Sequence, residues 1–323
     1  MAEWGNAPRS SGGPRDWALV ERFLLEDLNE RRRARRWRWV RRLLVALFLL
    51  FLVVKMSGGG GVDASAFGPH VAVIQVDGEI SADQAANADS IIDALDTAFE
   101  TAEAKAVVLR INSPGGSPVQ ADEVYREIRR LRAKDPKKPV YAVIGDMGAS
   151  GAYYMAAAAD RIYVNPASLV GSIGVIMPGF GVPSLLQKLG VEDRTMTAGA
   201  HKNLLSPTKA IDPAEREHVQ AVLDAVHRQF IAAVKAGRGD RLTNNPDMFS
   251  GYFWNGEQAV ALGLADGIGS LHSVARDVIK QEKLVDYTQT VNPFDRVLRR
   301  LGTELSLGLR QGLGLSLSQE ALR

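Results

Sequence analysis

The amino-acid sequence predicts an α/β protein, with a parallel sheet built from repeated βαβ units, helices on its faces, and one transmembrane helix before it. Between residues 71 and 166, short apolar runs alternate with helical patterns in the order βαβαβαβ. These runs are nearly continuous, as in strands of a parallel sheet that helices cover. Upstream, an Arg-rich block leads into an unbroken apolar run, which indicates a membrane span.

The composition limits the chemistry and the partners of this chain of 323 residues. Apolar residues make up 46% and charged residues 24%, an ordinary globular balance. A formal net charge of +2 argues against nucleic-acid binding through bulk charge. Cysteine is absent, which excludes thiolate nucleophiles, disulfides and cysteine-ligated metals. Covalent chemistry would therefore need another nucleophile.

The first 56 residues are predicted to form a cytoplasmic basic tail (1–36) and a transmembrane helix (37–56). The run LLVALFLLFLVV has twelve apolar residues. Extended to 37–56, it covers roughly the 30 Å of a bilayer's hydrocarbon core, provided that the flanking Arg and Lys side chains reach the headgroups. Eight Arg between residues 31 and 42 place that side in the cytoplasm, so the rest of the chain is expected outside.

Two alternatives to this anchor stay open. A cleaved signal peptide would use the Ala-Ser-Ala site at 64–66, but the 42 residues before the apolar run are too many for one. The run could instead be a buried helix, although the Arg cluster before it and the Gly-rich linker 57–69 after it favour a tether.

Residues 70–288 are predicted to form one folded domain. Its strands are expected at 71–80, 106–112, 139–147 and 161–166, with helices between them at 88–101, 117–134 and 150–160. There follow a strand or turn-strand at 169–177, a short helix at 183–190, an extended run at 194–199, a long amphipathic helix at 212–236, and helices at 256–263 and 270–282. The amphipathic tail 289–323 is interrupted by Gly, so it could pack on a neighbouring subunit, lie at the membrane or be loose.

One serine, Ser150, stands among small residues at a strand-to-helix junction. The run VYAVIGDM before it favours a strand, and YYMAAAA after it favours a helix. The first N–H groups of a helix are unpaired, so an oxyanion can be stabilised beside this hydroxyl. The alternative is that Ser150 only caps the helix, a common role for serine.

A second junction, RINSPGGS at 110–117, follows the preceding strand. Its Pro-Gly pair suits a type II turn, and Gly116 lets the backbone approach a ligand. A plain strand-to-helix connection is the alternative. If the two junctions lie side by side at the carboxyl edge of the sheet, one N–H from Gly115 or Gly116 and one from Gly151 would form an oxyanion hole beside Ser150.

A serine nucleophile needs a base, and Lys202 is the best candidate in the sequence because it follows an extended run of small residues. To act near neutral pH, its pKa must fall by about three units from about 10.4, which corresponds to roughly 4 kcal/mol, and burial can supply this. Ser172, in VGSIGV, is the hydroxyl expected to orient the amine. The alternatives are that Lys202 is only a surface charge, or that His201 is the base.

Five stretches of the sequence together resemble one family of enzymes. They are SPGG at 113–116, GDMGASGAYYMAAAAD at 145–160, NPASLVGSIGVI at 165–176, AGAHKNLLSP at 198–207 and LADGIG at 264–269. In this order they resemble the signal peptide peptidase A family, serine peptidases of the Clp protease/crotonase-like fold, in its short single-repeat form. The resemblance covers about residues 70–285; SPGG alone would not be specific.

The resemblance implies a role for each matching residue. Ser150 would be the nucleophile, Lys202 the general base, Ser172 the residue that orients the lysine, and Gly115 with Gly151 the oxyanion donors. It implies no cofactor and no metal.

The resemblance also implies how and where the enzyme works. It implies a ring-shaped homo-oligomer, expected to be octameric, in which neighbouring chains supply the serine and the lysine. The expected location is the bacterial inner membrane, with the N-terminus cytoplasmic and the catalytic domain outside. The expected substrates are cleaved signal peptides and other apolar peptides.

Two other functions stay open on the sequence. A crotonase-type acyl-CoA enzyme uses a similar pair of backbone donors, but it needs cytosolic coenzyme A, whereas the predicted anchor exports this domain. A non-catalytic membrane scaffold would use the ring and the tail to organise partners.

Overall fold

The computed structural model describes residues 37, 39–48 and 68–289. The chain divides into two compact units, and residues 61–291 form one of them. In the other unit, helix α1 is described at 37 and 39–48. Within the described ranges, no helix is both long enough and apolar enough to cross a membrane. The rest of the predicted span, the tail 1–36 and nearly all of the linker and the C-terminal tail lie outside them, so those assignments stay predictions.

The predicted alternation of strands and helices is confirmed. Four strands come first, namely β1 (His70–Asp77), β2 (Ala104–Ser113), β3 (Val140–Ala149) and β4 (Arg161–Val164). The helices between them are α2 (Ala88–Glu100), α3 (Pro118–Lys134) and α4 (Gly151–Ala156). Side-chain caps begin two of these helices, since Asn87 accepts from the amide of Ser90 and Ser117 from that of Gln120.

All the pairings of the eight-stranded sheet are parallel except one. The strand order is β6-β5-β3-β2-β1-β8, with β4 paired to both β3 and β7. Only β5 and β6 run antiparallel. The remaining strands are short, namely β5 (Leu169–Gly171), β6 (Phe253–Trp254), β7 (Gly267–Ile268) and β8 (Leu284–Asp286). The strand predicted at 169–177 is thus three residues long, and β6, β7 and β8 were not predicted.

The later helices differ from prediction mainly in their ends. They are α5 (Pro183–Lys188), α6 (Pro213–Arg238), α7 (Gly256–Ala261) and α8 (Leu271–Ser273). The predicted helix 270–282 is a single α-helical turn followed by a π-helical segment, Val274–Ile279. The run 194–199, predicted to be extended, contains no strand.

The main core lies between one face of the sheet and helices α2 to α4. Alternate residues of β2 face this core, including Leu109 and Ile111, which pack with Ile128 of α3 and Met155 of α4. The intervening Val108 faces a second, smaller cluster under the helical segment that follows β7. Strands β2 and β3 pair up to Ser113 and Gly148, so both strands end at the same edge of the sheet.

Candidate active site

Ser150 lies between the last residue of β3 and the first residue of α4. Its backbone has φ 52° and ψ −125°, a conformation that is strained for a residue with a side chain. Its amide donates to the carbonyl of Gly171 at 2.8 Å. The hydroxyl makes no capping hydrogen bond, although Ser150 occupies the N-cap position. The capping role therefore does not account for this side chain.

The turn after β2 packs directly against Ser150. Gly115 has φ 97°, as the second central position of a type II turn requires. A Cβ atom at Gly115 would lie 2.7 Å from the Ser150 Cβ, and one at Gly116 would lie 2.1 Å from the carbonyl oxygen of Ile80. Only glycine fits at these two positions, and the two junctions meet as predicted.

The amides at this junction are not equivalent. Gly115 donates its N–H to the buried hydroxyl of Ser113 at 3.1 Å. The amides of Gly116 and Gly151 donate to no acceptor in the part of the chain that the structure describes. They are neighbours, because a Cβ atom at Gly151 would lie 3.3 Å from the Gly116 nitrogen. Two unpaired donors thus lie beside Ser150.

A groove of about 800 Å³ opens at this junction. Its apolar wall includes Val119, Val226 and the stacked rings of Tyr154 and Phe230, whose centroids are 4.8 Å apart. Burial, together with the hydrogen bond that the Tyr154 hydroxyl donates to Asp122, raises the pKa of this tyrosine above its usual value. Tyr154 is therefore neutral at physiological pH. Ser150, Gly115, Gly116 and Gly151 line the same groove.

Ser172 lies in this groove together with Ser150. It follows β5 and also has a positive φ, 51°. Two backbone hydrogen bonds hold it, since its amide donates to Tyr252 at 2.8 Å and its carbonyl accepts from Gly174 at 2.9 Å. Its predicted role in orienting the lysine stays a prediction.

Lys202 does not line this groove in a single chain. It is exposed on a turn at 200–205, where its amide donates to Gly199 at 3.2 Å. Its amine makes no hydrogen bond or ion pair within the described ranges. The single chain thus brings together Ser150, Ser172 and the glycines, but not the predicted base.

No histidine or lysine is among the residues that line the groove. His201 lies beside Lys202 on the same turn, and its Nδ1 is 3.1 Å from a carboxylate oxygen of Glu215. His70 is buried at the far end of the sheet, between Gly68 and Tyr287. Among the described residues, no group of three His, Asp or Glu side chains could hold a metal. The groove of a single chain therefore has a candidate nucleophile and oxyanion donors but no lysine or histidine base.

Comparison with known proteins identifies the family. Residues 132–286 match peptidase family S49. This region of the chain belongs to that family. The match includes Ser150, Gly151, Ser172 and Lys202, whereas Gly115 and Gly116 lie before it. The predicted resemblance to signal peptide peptidase A is confirmed, and the sheet with its helices fits the Clp protease-like fold expected for an S49 peptidase.

Relatives support the same assignment for this S49 member. It is 34% identical over 184 residues to a protein of Enterococcus faecium named as a candidate signal peptide peptidase, SppA, covering 57% of this chain and 53% of that protein. It is 35% identical over 176 residues to a protein of Synechocystis named as a candidate protease, covering 54% and 62% respectively.

A third relative carries a different name. A Brucella melitensis protein named as the Na⁺/H⁺ antiporter NhaA is 46% identical over 182 residues, which are 56% of this chain and 25% of that protein. The match leaves three quarters of that protein uncovered, so the antiporter name does not describe the matching part. The chain spans between a quarter and about three fifths of these relatives.

Proposed function

We propose that this S49 member is a membrane-anchored serine endopeptidase with Ser150 as nucleophile and Lys202 of a neighbouring copy as general base. The observation that carries the proposal is the unpaired Ser150 hydroxyl on a strained backbone beside two unpaired amides in a groove. Acyl transfer to a serine needs this arrangement.

The reaction would proceed in two steps. The neutral Lys202 amine takes the proton from Ser150 Oγ, which attacks the scissile carbonyl, and the protonated lysine then gives its proton to the leaving amine. Water, activated by the same amine, hydrolyses the acyl-enzyme and regenerates Ser150. No step requires a metal or a cofactor.

The charge that develops on the carbonyl oxygen would be stabilised by the amides of Gly116 and Gly151. The sequence motif favours Gly115 as a donor, but its N–H is already donated to Ser113. The role proposed for Gly115 is steric: because it has no side chain, the turn can approach Ser150 closely.

The segment that contains Lys202 has an exposed apolar surface, which supports the proposal that Lys202 acts in a neighbouring copy. We define the arm as residues 174–211; none of its residues is buried. It exposes large apolar side chains, including Ile176 (86% exposed), Phe180 (82%) and Met196 (95%). Exposed apolar area on this scale is typical of a surface that another chain covers. A closed ring, octameric as the family implies, would bury it and bring each lysine to a neighbour's groove.

The substrate class is inferred from the groove wall and the relatives. An apolar wall formed by Val119, Tyr154, Val226 and Phe230 suits apolar peptide side chains. One relative is named as a signal peptide peptidase. We therefore propose cleaved signal peptides, and other apolar peptides at the bilayer, as substrates.

The proposed location is the bacterial inner membrane, with the catalytic domain outside the cytoplasm. It rests on the Arg-rich block before the apolar run that ends at residue 54. Carbonate extraction of membranes should leave the full chain in the pellet. Protease added to intact spheroplasts should degrade the domain; protection of the domain would contradict the proposed orientation.

The decisive experiment mixes two inactive variants of the purified full chain. Ser150→Ala and Lys202→Ala should each lose turnover of a fluorogenic apolar peptide while keeping the circular dichroism spectrum. Co-assembled in equal amounts, they should recover about a quarter of wild-type activity, because half of the serines survive and half of those meet an intact lysine. Normal activity of Lys202→Ala would remove the lysine from the mechanism, and no recovery on mixing would place the dyad within one chain.

The same assay separates the rivals. A scaffold would not cleave the peptide in any form, and an acyl-CoA enzyme would instead turn over a thioester. If His201 were the base, His201→Ala would be inactive and Lys202→Ala active.

A further inference from the structure

The carboxylate of Glu215, on helix α6, binds the turn that carries Lys202. The arm contains no buried side chain, and residues 212–214 are exposed as well. Glu215 comes next, in the first turn of α6, and its side chain is only 6% exposed. A carboxylate buried next to an exposed segment needs partners to offset its desolvation.

Those partners come from both sides of Lys202. His201 Nδ1 lies 3.1 Å from Glu215 Oε1. Lys209 Nζ lies 3.0 Å from Glu215 Oε2 and donates to Asn203 Oδ1 at 3.1 Å. The residue before Lys202 is therefore bound directly to Glu215, and the residue after it is bound through Lys209.

Glu215 itself is held in place by the start of α6. Asp212 caps the helix, and its side chain accepts from the amides of Ala214 at 2.8 Å and Glu215 at 3.4 Å. The hydrogen bonds from Lys209 and His201 lower the pKa of Glu215 below its usual value. Glu215 is thus ionised at neutral pH and fixed to a long helix.

We propose that Glu215 is the positioning residue for the catalytic lysine, holding both neighbours of Lys202 so that its amine reaches Ser150 of the adjoining copy. The inference rests on the proposed Ser150–Lys202 dyad. A flexible four-carbon side chain reaches a fixed target productively only when its backbone is fixed, and a misplacement of about 1 Å lowers a rate about a hundredfold.

The contact between His201 and Glu215 also has the form of a carboxylate–imidazole pair in a serine–histidine triad. In that arrangement His201 would be the base and Glu215 would orient it. The two roles predict different activities for a variant that lacks His201. If Glu215 positions the lysine turn, removing His201 leaves the Lys209 link intact and retains part of the activity.

The experiment compares Glu215→Gln with Glu217→Gln in the assembled full chain. Glu217 lies on the same helix, is exposed and forms no ion pair among the described residues, so its replacement makes the same change in charge. Glu215→Gln should lower kcat for the fluorogenic peptide by at least about tenfold, with KM changed by less than about twofold and an unchanged oligomer size. Glu215→Asp should restore part of kcat, and Glu217→Gln should match the wild type.

Each outcome decides one question. A wild-type kcat for Glu215→Gln overturns the positioning role. A loss of kcat that is explained by a lower Tm overturns it as well. His201→Ala as inactive as Ser150→Ala, beside an active Lys202→Ala, would assign Glu215 to a triad instead. Since the dyad itself is tested by Lys202→Ala, an inactive Lys202→Ala with a normal Glu215→Gln removes only the present inference.

Discussion

Ser150 is joined to Gly171 by a backbone hydrogen bond of 2.8 Å, and Gly171 directly precedes Ser172. Both serines have a positive φ, 52° and 51°, and both line one groove. Residues with side chains adopt this region of φ rarely, and such strain concentrates at functional sites. The hydrogen bond fixes the distance between two strained hydroxyl-bearing residues at the end of the sheet.

Replacement of Ser150 by Gly should stabilise the protein relative to replacement by Ala. Both variants lose the hydroxyl and should lose turnover, but glycine adopts φ 52° and ψ −125° without strain. The relief, about 1 to 3 kcal/mol, exceeds glycine's extra entropy in the unfolded chain, about 0.5 to 1 kcal/mol. Calorimetry should give Ser150→Gly a Tm higher by about 2 to 4 °C. A lower Tm than that of Ser150→Ala would show that this backbone is not strained.

Ser172→Ala should reduce kcat by about ten- to a hundredfold with little change in KM, because the hydroxyl is proposed to orient the lysine rather than to bind peptide. Steady-state kinetics of the assembled enzyme measures both constants. Ser90→Ala is the matched control and should behave as the wild type, because Ser90 lies on α2, outside the arm, and does not line the groove. A normal kcat for Ser172→Ala would leave Ser172 with a backbone role only.

Gly115→Ala and Gly116→Ala should each lower the Tm and abolish turnover. A Cβ atom would lie within 2.7 Å of Ser150 in the first case and 2.1 Å from the Ile80 carbonyl oxygen in the second. Relief of either contact needs a backbone shift, which would move the turn away from Ser150. Gly145→Ala is the control, because its Cβ would lie 3.6 Å from the Ile111 carbonyl oxygen, an ordinary contact. Wild-type Tm and activity in Gly116→Ala would contradict this geometry.

Asp266 does not line the groove. Asp266→Asn should lower the free energy of unfolding by about 3 kcal/mol, because it leaves the buried Arg238 without its counterion. Burial alone would raise the pKa of Asp266, but hydrogen bonds from Arg238 and the Ile162 amide lower it below its usual value. A lowered folded-state pKa stabilises the fold above the ordinary pKa of an aspartate, and this stability is lost as the pH falls through the folded-state value. The Tm difference from the wild type should therefore shrink in acid; a constant difference would contradict the ion pair.

The sequence predicted the part of the fold that depends on local patterns. Long apolar strands and helices with their own caps, such as α2 and α3, carry their signal within a few residues. Strands of two or three residues carry no such signal, and Gly267–Ile268, for example, is defined only by its pairing with β4. Ser150 and the glycines were predictable because a strand-to-helix junction and a glycine pair are both local features.

Three features of the site depend on contacts that the sequence does not display. The donation of the Gly115 amide to Ser113 depends on the direction of one buried hydroxyl. The position of Lys202 outside the groove depends on how the arm packs. The hydrogen bond that Glu215 accepts from His201 spans fourteen residues, and no motif links those two positions.

If the base of each groove belongs to the next chain, a solitary protomer is latent. Dilution would then inactivate the enzyme by dissociating it, and the turnover rate per chain would rise with protein concentration until assembly is complete. A newly made chain would be inactive until it meets other copies, and proteolysis would begin only where enough copies assemble.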